Sequence, residues 1–450
     1  MNASCSLTEG PIWKGMLLFA LPVLLGNVFQ QFYNTFDSWV VGRFLGDTAL
    51  AAVSSSGSLI FLLVGFCNGV SMGAGVVIAQ HYGAKDQERL KQSIHTSVAL
   101  GLAAGIILTI LGVVFTPTIL KWMDTPADVL PQSIQYFRFY FLGAVFIVMY
   151  NMFVGILYAV GDSRHPLYYL FCSTGINVVL DLVFVGVFHW DVWSAALATT
   201  LSQGVSAVLC FIHLLRIPEV YHLEPGKIRF HRECVGSILR IGIPSGLQTS
   251  MISIANVVVQ ASINSFGAAA MAGCGTYSKL EGFAFLPVVC FNQALSTFVG
   301  QNIGAKQYAR AKKGAFFGIS CCIIMAEVIG ICMWLFAPEL ISFFNDSRDV
   351  IDLGSRHMRT ICLFYFLMSF SHCAVSVLRG AGRAAVPMYT MLFFWCFVRI
   401  GYITMALKFV NRLEMVSLAY PITWVLSSIV FLIYLWKADW VHGKKSGITA

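Results

Sequence analysis

The chain has 450 residues, of which 58% are hydrophobic and 11% are charged, and its mean hydropathy is +0.76. A soluble globular protein cannot bury that much apolar surface, so the composition excludes the soluble classes and indicates a membrane protein. The formal net charge of +8 does not require a nucleic-acid partner, because membrane topology and contact with anionic lipid head groups explain basic residues beside apolar segments.

Apolar runs recur along the whole chain, separated by short clusters of Gly, Pro and charged residues. Each is long enough to cross a bilayer, which takes about 20 mostly apolar residues. The twelve predicted spans are 15–40, 50–80, 93–117, 131–160, 166–188, 192–215, 237–263, 270–300, 314–337, 357–379, 386–409 and 414–436. We therefore predict an all-α, polytopic membrane protein with twelve transmembrane helices.

Lys and Arg residues between these spans are distributed unequally. If the N-terminus lies inside the cell, the segments on the cytoplasmic side hold 19 of these residues and the segments on the outer side hold 7. Because cytoplasmic loops carry the excess of positive charge, both termini are predicted to face the cytoplasm.

The second half of the chain repeats the first at an offset of 221 residues. Residues 79–93 resemble 300–314, including a Gly-Ala-Lys tripeptide in each, and Gly161 and Pro166 align with Gly382 and Pro387. The Gly-Ala-Lys tripeptides lack the spacing of a phosphate-binding loop and indicate helix-ending turns. We therefore infer two repeats of six helices each, related by an axis along the membrane normal, as in transporters with parallel repeats. We predict an N-terminal lobe (1–215), a cytoplasmic linker (216–236) and a C-terminal lobe (237–450).

Two carboxylates lie inside predicted spans of the first half. Asp37 and Asp181 each follow a proline, Pro22 or Pro166, by fifteen residues in a span that starts on the cytoplasmic side. At 1.5 Å per residue both lie about 22 Å beyond those prolines, so they share a depth in the membrane. An ionisable residue at such a position indicates a functional site.

Two further polar residues fall at this depth. Asn177 precedes Asp181 by one helical turn. Thr199 lies near the outer end of the sixth span, close to the depth of Asp181. Such an oxygen-rich cluster can coordinate Na⁺, or neighbouring carboxylates can bind and release a proton, and the sequence does not choose between the two ions. A structural hydrogen-bond network is the alternative. The matching positions of the second half are Val259, Val398, Tyr402 and Tyr420, so the site is expected once.

No sequence feature supports an enzyme. Most of the thirteen cysteines lie singly in apolar runs, with no C-x-x-C spacing, and they are interpreted as small apolar helix residues. Neither a catalytic dyad nor a nucleotide-binding motif occurs. We expect no cofactor, and no metal ion other than Na⁺ at the four coupling residues.

Taken together, these features resemble the multidrug and toxic compound extrusion (MATE) family. The resemblance covers nearly the whole chain and includes Pro22 followed by Asp37, "NVVLD" at 177–181 and "KLEGFAFLPVVCFNQALSTFVGQN" at 279–302. It implies a monomeric antiporter of a bacterial inner membrane that exports organic cations, drugs or toxic compounds, coupled to H⁺ or Na⁺, by alternating access of two rocking lobes. The family's cation site would comprise Asp37, Asn177, Asp181 and Thr199.

The resemblance also implies a role for two charged residues of the eighth span. Lys279 and Glu281 are predicted to open that helix and to face the central substrate cavity, with an internal ion pair as the alternative. A lipid-linked precursor flippase of the same superfamily is the competing function. It would be expected to need a strongly cationic cavity, whereas the membrane-buried Arg residues here are scattered.

Overall fold

A computed structural model of the chain describes residues 7–122, 125–126 and 129–442. Side chains at 47, 48, 50–52, 54–63 and 122 are outside this description. The described residues form α-helices with short connections and no strands. In chain order the helices are α1 (Ile12–Leu45), α2 (Asp47–Gly83), α3 (Gln87–Trp122), α4 (Leu130–Leu142), α5 (Ala144–Ala159), α6 (Arg164–Asp181), α7 (Trp193–Arg216), α8 (Arg232–Asn264), α9 (Ala268–Ala284), α10 (Leu286–Gly304), α11 (Tyr308–Leu335), α12 (Ala337–Ser342), α13 (Arg348–Cys362), α14 (Tyr365–Gly380), α15 (Ala385–Met391), α16 (Arg399–Phe409) and α17 (Leu413–Lys437).

The helices correspond to the twelve predicted spans. Seven continuous segments are long and apolar enough to cross a membrane, and three bent pairs (α4 with α5, α9 with α10, α13 with α14) pass the same test together. The two remaining predicted spans are α2 and α8, with 37 and 33 residues. The all-α fold with twelve spans is therefore confirmed.

Bends divide three of the spans, which the sequence pattern did not indicate. The bend angles are 47° between α4 and α5, 41° between α9 and α10, and 54° between α13 and α14. At the second bend Pro287 occupies the first turn of α10, where its missing N–H cannot continue the hydrogen bonds of α9.

The described chain divides into two compact units. The first is Leu21–Gly246, and the second combines Leu7–Ala20 with residues 247–442. The predicted linker, 216–236, packs within the first unit, where the Leu223 N–H donates to the Leu214 carbonyl at 2.8 Å. Lys227 and Lys91 lie 2.6 and 3.4 Å from the Glu224 carboxylate, and their hydrogen bonds hold the pKa of Glu224 below its usual range.

The repeated Gly-Ala-Lys tripeptides end α2 and α10 as predicted. Lys85 and Lys306 both adopt a left-handed conformation with φ of 57°. The next residue in each copy closes the turn, with Asp86 N–H donating to His81 O at 3.2 Å and Gln307 N–H to Asn302 O at 2.8 Å. This is the Schellman pattern of helix termination.

Glycines allow helix backbones to approach closely inside each unit. In the first unit, a Cβ added to Gly73 would lie 2.6 Å from the Gly242 backbone nitrogen, and in the second unit a Cβ on Gly273 would lie 2.8 Å from the Gly354 nitrogen. Such contacts suit membrane proteins, where helix association depends on close packing of small residues.

Candidate cation site

Contacts of α6 with α1 and α7 position the predicted cation residues of the first unit. α1 lies against α6 at Gly26, where an added Cβ would be 3.6 Å from Leu170 Cδ2, an ordinary contact distance. Phe29 and Phe171 add an edge-to-face contact with ring centroids 5.2 Å apart. On the other side, the Ser173 hydroxyl donates to the Ser202 carbonyl of α7 at 2.8 Å. These contacts fix the facing sides of three helices.

The two carboxylates meet in the interior of the first unit. Asp37 is 8% exposed and Asp181 is fully buried. Each carboxylate lies close enough to the other for the two to interact electrostatically. Two neighbouring buried negative charges are strongly unfavourable unless a cation or a proton lies between them.

Several polar atoms of this cluster have no partner within the described part of the chain. They are Asp37 Oδ1, both carboxylate oxygens of Asp181, and the amide oxygen and nitrogen of Asn177, which is also fully buried. Buried polar groups are almost always hydrogen-bonded, so this concentration of unpaired oxygens favours a ligand-binding function over a purely structural network.

The backbone changes its hydrogen-bonding register directly beside Asp181. α6 ends at that residue, and a π-helical turn, Leu182–Val187, follows. A second π-helical turn, Leu392–Val398, occurs in the second unit, so the turn does not by itself mark a cation site. The break places the carboxylate at the point where the helix is interrupted.

Thr199 joins the cluster through a tyrosine that the sequence analysis did not select. The Tyr33 hydroxyl donates to Thr199 Oγ1 at 3.0 Å. Tyr136 and Tyr140 of α4 also lie near Asp37, and their rings stack with centroids 6.3 Å apart. The spacing of Tyr33 four residues before Asp37, and of Tyr136 four before Tyr140, was the available sequence signal.

An apolar cluster packs one turn beyond the two acids. Val40 and Val41 of α1, Tyr136 of α4 and Val185 of the π-helical turn belong to it. Residues preceding and opening α7 complete it: Val192, Ala195 and Ala196. Because this cluster excludes water from one side, it lowers the local dielectric and strengthens the electrostatic interactions of the acids.

The matching place in the second unit is apolar and aromatic. Val259 is 1% exposed in a hydrophobic cluster against which Tyr402 and Tyr420 pack. Arg399 is one of the charges nearby; its guanidinium lies over the ring of Tyr420 at 4.6 Å and donates to Thr423 Oγ1 at 3.1 Å. The carboxylate cluster is therefore not repeated at these positions.

Lys279 and Glu281 differ in position from the prediction. They lie in the last two turns of α9, just before the bend, so the expectation that they open the eighth span was wrong. The bend at Phe285 and Pro287, which periodicity does not show, ends the helix there. Glu281 accepts a hydrogen bond from Tyr277 at 2.7 Å, Lys279 is exposed, and the described residues show no ion pair between them. Their contribution to substrate binding stays a prediction.

Sequence comparisons match this chain to known proteins over nearly its whole length. The MatE family model matches residues 22–183 and 244–404. The probable multidrug resistance protein YoeA of Bacillus subtilis is 28% identical over 438 residues, covering 95% of this chain and 94% of YoeA. The multidrug export protein MepA of Staphylococcus aureus is 22% identical over 387 residues, covering 84% of each chain.

Solved structures show the same fold. A multidrug resistance MATE family transporter of the MOP superfamily in an outward-facing conformation superposes with a TM-score of 0.89 at 23% identity, covering 96% of both chains. A MOP superfamily transporter from Pyrococcus furiosus, described as having a binding pocket of reverse polarity, gives a TM-score of 0.89 at 22% identity over 96% of both chains.

Proposed function

Because this chain belongs to the MatE family of membrane transporters, we propose that it exports small organic cations in exchange for an inward-moving ion bound by Asp37, Asn177, Asp181 and Thr199. The observation that carries the proposal is the pair of buried, neighbouring carboxylates of Asp37 and Asp181, whose oxygens include three without a hydrogen-bond partner among the described residues. Relatives named for multidrug resistance and export support the export of small molecules.

The arrangement suits an ion that binds and leaves in each cycle. A proton bridging Asp37 and Asp181, or Na⁺ held by their oxygens with those of Asn177 and Thr199, removes the repulsion between the two carboxylates. Release of the ion restores that repulsion, so the helices that carry these residues favour different packing in the two states. H⁺ and Na⁺ are both compatible with this donor set.

Ion entry supplies the energy for export. Each positive charge that moves inward through the membrane potential releases about 2.3 kcal/mol per 100 mV, so no nucleotide is needed. In this scheme ion binding in the first lobe changes its packing, the two lobes move to alternate access, and substrate binding from the cytoplasm resets the transporter.

Glu281 is proposed to attract the cationic substrate. The transporter acts as a monomer in a bacterial inner membrane with both termini in the cytoplasm.

Reconstitution in liposomes tests the coupling. A fluorescent organic cation is loaded, a proton gradient and a Na⁺ gradient are imposed separately, and dye movement is recorded for the wild type, Asp37→Asn and Asp181→Asn. We expect each substitution to reduce gradient-driven movement at least about tenfold, since each removes one of the charges that bind the ion. Asp346→Asn, at an exposed carboxylate outside the cluster, is the matched control and should transport normally.

The result also separates the alternatives. Full gradient-driven transport by a folded Asp37→Asn, Asp181→Asn double variant would show that the cluster does not couple transport to an ion. Translocation of a lipid-linked pyrophosphate precursor by the same vesicles, with no dye movement, would favour the flippase function.

A further inference from the structure

A second cluster of ionisable side chains lies in the first unit, where α6 begins and α7 ends. Asp162 is in the turn before α6, His165 in the first turn of α6, and His213 in the last turn of α7. One potential ligand atom from each residue lies within 4.8 Å of the others. The coupling mechanism proposed above does not use these residues.

We propose that Asp162, His165 and His213 form a binding site for a divalent transition-metal ion of the zinc class, which joins the start of α6 to the end of α7. Two imidazoles and one carboxylate match the ligands of zinc sites that keep a fourth position for water. Imidazole ligands favour such ions over Mg²⁺ or Ca²⁺, which prefer oxygen ligands alone.

The distances fit this ligand set. Asp162 Oδ2 lies 2.6 Å from His165 Nδ1 and 3.8 Å from His213 Nε2. Ligands bonded at about 2.0–2.1 Å to a tetrahedral ion are separated by about 3.3–3.4 Å. The two measured distances lie on either side of that value, so small side-chain movements bring the three atoms into coordination.

The carboxylate is already oriented toward the two rings. Asp162 is fully buried, and its other oxygen, Oδ1, accepts the backbone N–H groups of Arg164 and His165, both at 3.2 Å. Hydrogen bonds of this kind to the outer oxygen of a ligand hold metal sites in place. The imidazole rings of His165 and His213 lie 4.1 Å apart at 33°, with their ligand atoms near the same Asp162 oxygen.

A structural role for the acid accounts for only part of this arrangement. Capping α6 and bonding one histidine would satisfy Asp162. His213 Nε2 is nevertheless buried without a hydrogen-bond partner in the described part of the chain, and it points to the same carboxylate. A metal ion bonded to this nitrogen accounts for the second histidine.

The internal repeat provides a comparison within the same molecule. At an offset of 221 residues, Asp162, His165 and His213 correspond to Arg383, Val386 and Tyr434. In the second unit the Arg383 guanidinium donates directly to the Tyr434 hydroxyl at 3.1 Å. Both units therefore link the same two helix ends at these positions, but only the first unit does so with metal ligands.

The site would act on the helices that carry the cation residues. α6 bears Asn177 and Asp181, and α7 bears Thr199. An ion at the opposite ends of these helices fixes their relative position and so restricts the movement that ion coupling is proposed to need. Zinc is therefore expected to stabilise the protein and to slow gradient-driven transport.

Zinc titration of the full-length protein tests the proposal. Tag-free protein in detergent is treated with a chelator, and Zn²⁺ binding is measured by calorimetry together with the apparent melting temperature. We expect one equivalent of Zn²⁺ and a rise in melting temperature, because a ligand that binds only the folded state stabilises it. His213→Tyr and His165→Val, which introduce the residues of the second unit, should each weaken binding at least about tenfold through loss of a ligand.

A second His–Asp pair supplies the matched control. His442 Nδ1 lies 2.9 Å from Asp439 Oδ1, but that pair is exposed, and the described residues place no third ligand beside it. His442→Ala should bind Zn²⁺ as the wild type does. Unchanged binding in both His213→Tyr and His165→Val would overturn the proposal.

Cobalt(II) gives a test that does not depend on folding of the variants. Co²⁺ bound to the wild type should show the visible absorption of a four- or five-coordinate site with nitrogen and oxygen ligands, and Zn²⁺ should abolish that absorption by competition. Absence of saturable Zn²⁺ binding and of this spectrum in the wild type would also overturn the proposal.

Discussion

Tyr33 connects the helix that carries Asp37 to Thr199, another residue selected from the sequence. Tyr33 and Asp37 lie one turn apart on α1, and the Tyr33 hydroxyl donates to Thr199 Oγ1 of α7 at 3.0 Å. Both side chains are at least nine-tenths buried, so water does not readily replace this bond. The tyrosine therefore orients the threonine oxygen and acts as a positioning residue.

Removing that hydroxyl should weaken ion binding without removing a charge. A buried neutral hydrogen bond contributes about 0.5–1.5 kcal/mol, so Tyr33→Phe should raise the concentration of coupling ion for half-maximal transport about two- to tenfold. The maximal rate should change less. Proteoliposome transport at varied pH or Na⁺ concentration measures both quantities. Tyr389→Phe, at an exposed tyrosine of α15, is the control. A Tyr33→Phe variant with wild-type ion dependence would exclude this role.

At the scale of elements, close helix packing depends on particular glycines. α9 and α13 touch where Gly273 faces Gly354, and a Cβ on Gly273 would lie 2.8 Å from both the Gly354 nitrogen and the Val350 carbonyl oxygen. These are backbone atoms, so rotation of a side chain cannot relieve the overlap. The two helices would have to separate.

Gly273→Val should therefore destabilise the second unit. Overpacking of this kind costs about 1–3 kcal/mol, whereas a larger side chain in open space costs little. Gly275→Val is a close control, because it makes the same change two residues away in α9, where no heavy atom lies within 4 Å of an added Cβ. The apparent melting temperature in detergent should fall for Gly273→Val and stay near the wild-type value for Gly275→Val. Equal melting temperatures would show that this helix contact is not tightly packed.

At the scale of the whole molecule, the two halves share a fold but not their chemistry. The first unit places Asp37 and Asp181 together, whereas the second places Val259 in an apolar cluster with Tyr402 and Tyr420 against it. The same arrangement of helices thus holds a polar cluster in one copy and packed apolar and aromatic side chains in the other.

This difference predicts one ion-binding site of this kind per chain. Tyr402 corresponds to Asp181 in the repeat, and Tyr402→Phe should leave the number of ions exchanged per substrate unchanged, with transport within about a factor of two. Asp181→Asn should abolish ion exchange. Parallel measurement of ion and dye fluxes in proteoliposomes gives this ratio. A reduced ratio in Tyr402→Phe would mean that the second half also takes part in coupling.

The sequence predicted the fold correctly because membrane spans are specified locally. About 20 apolar residues cross a bilayer wherever they occur, so counting runs located all twelve spans without knowledge of their contacts. The repeat gave the helix-ending turns at Lys85 and Lys306 in the same way, since such turns depend on a few consecutive residues. Asp37 and Asp181 were selected because the sequence alone shows an acidic residue within an apolar span.

Contacts between helices could not be derived in this way, because they depend on how each helix is rotated and where it bends. Periodicity did not show the bend between α9 and α10, so Lys279 and Glu281 were placed at the wrong end of a helix. Three tyrosines near Asp37 look like ordinary membrane-protein residues in the sequence.

The sequence by itself thus determined the membrane class, the twelve spans, the internal repeat and the acids of the first half, because each follows from hydropathy or spacing along one segment. Only the tertiary structure decided which side chains meet. It brought Tyr33 to Thr199, and it brought His213 to Asp162 and His165 across the 47 residues between the two histidines, because side-chain proximity is set by helix packing and not by separation in sequence.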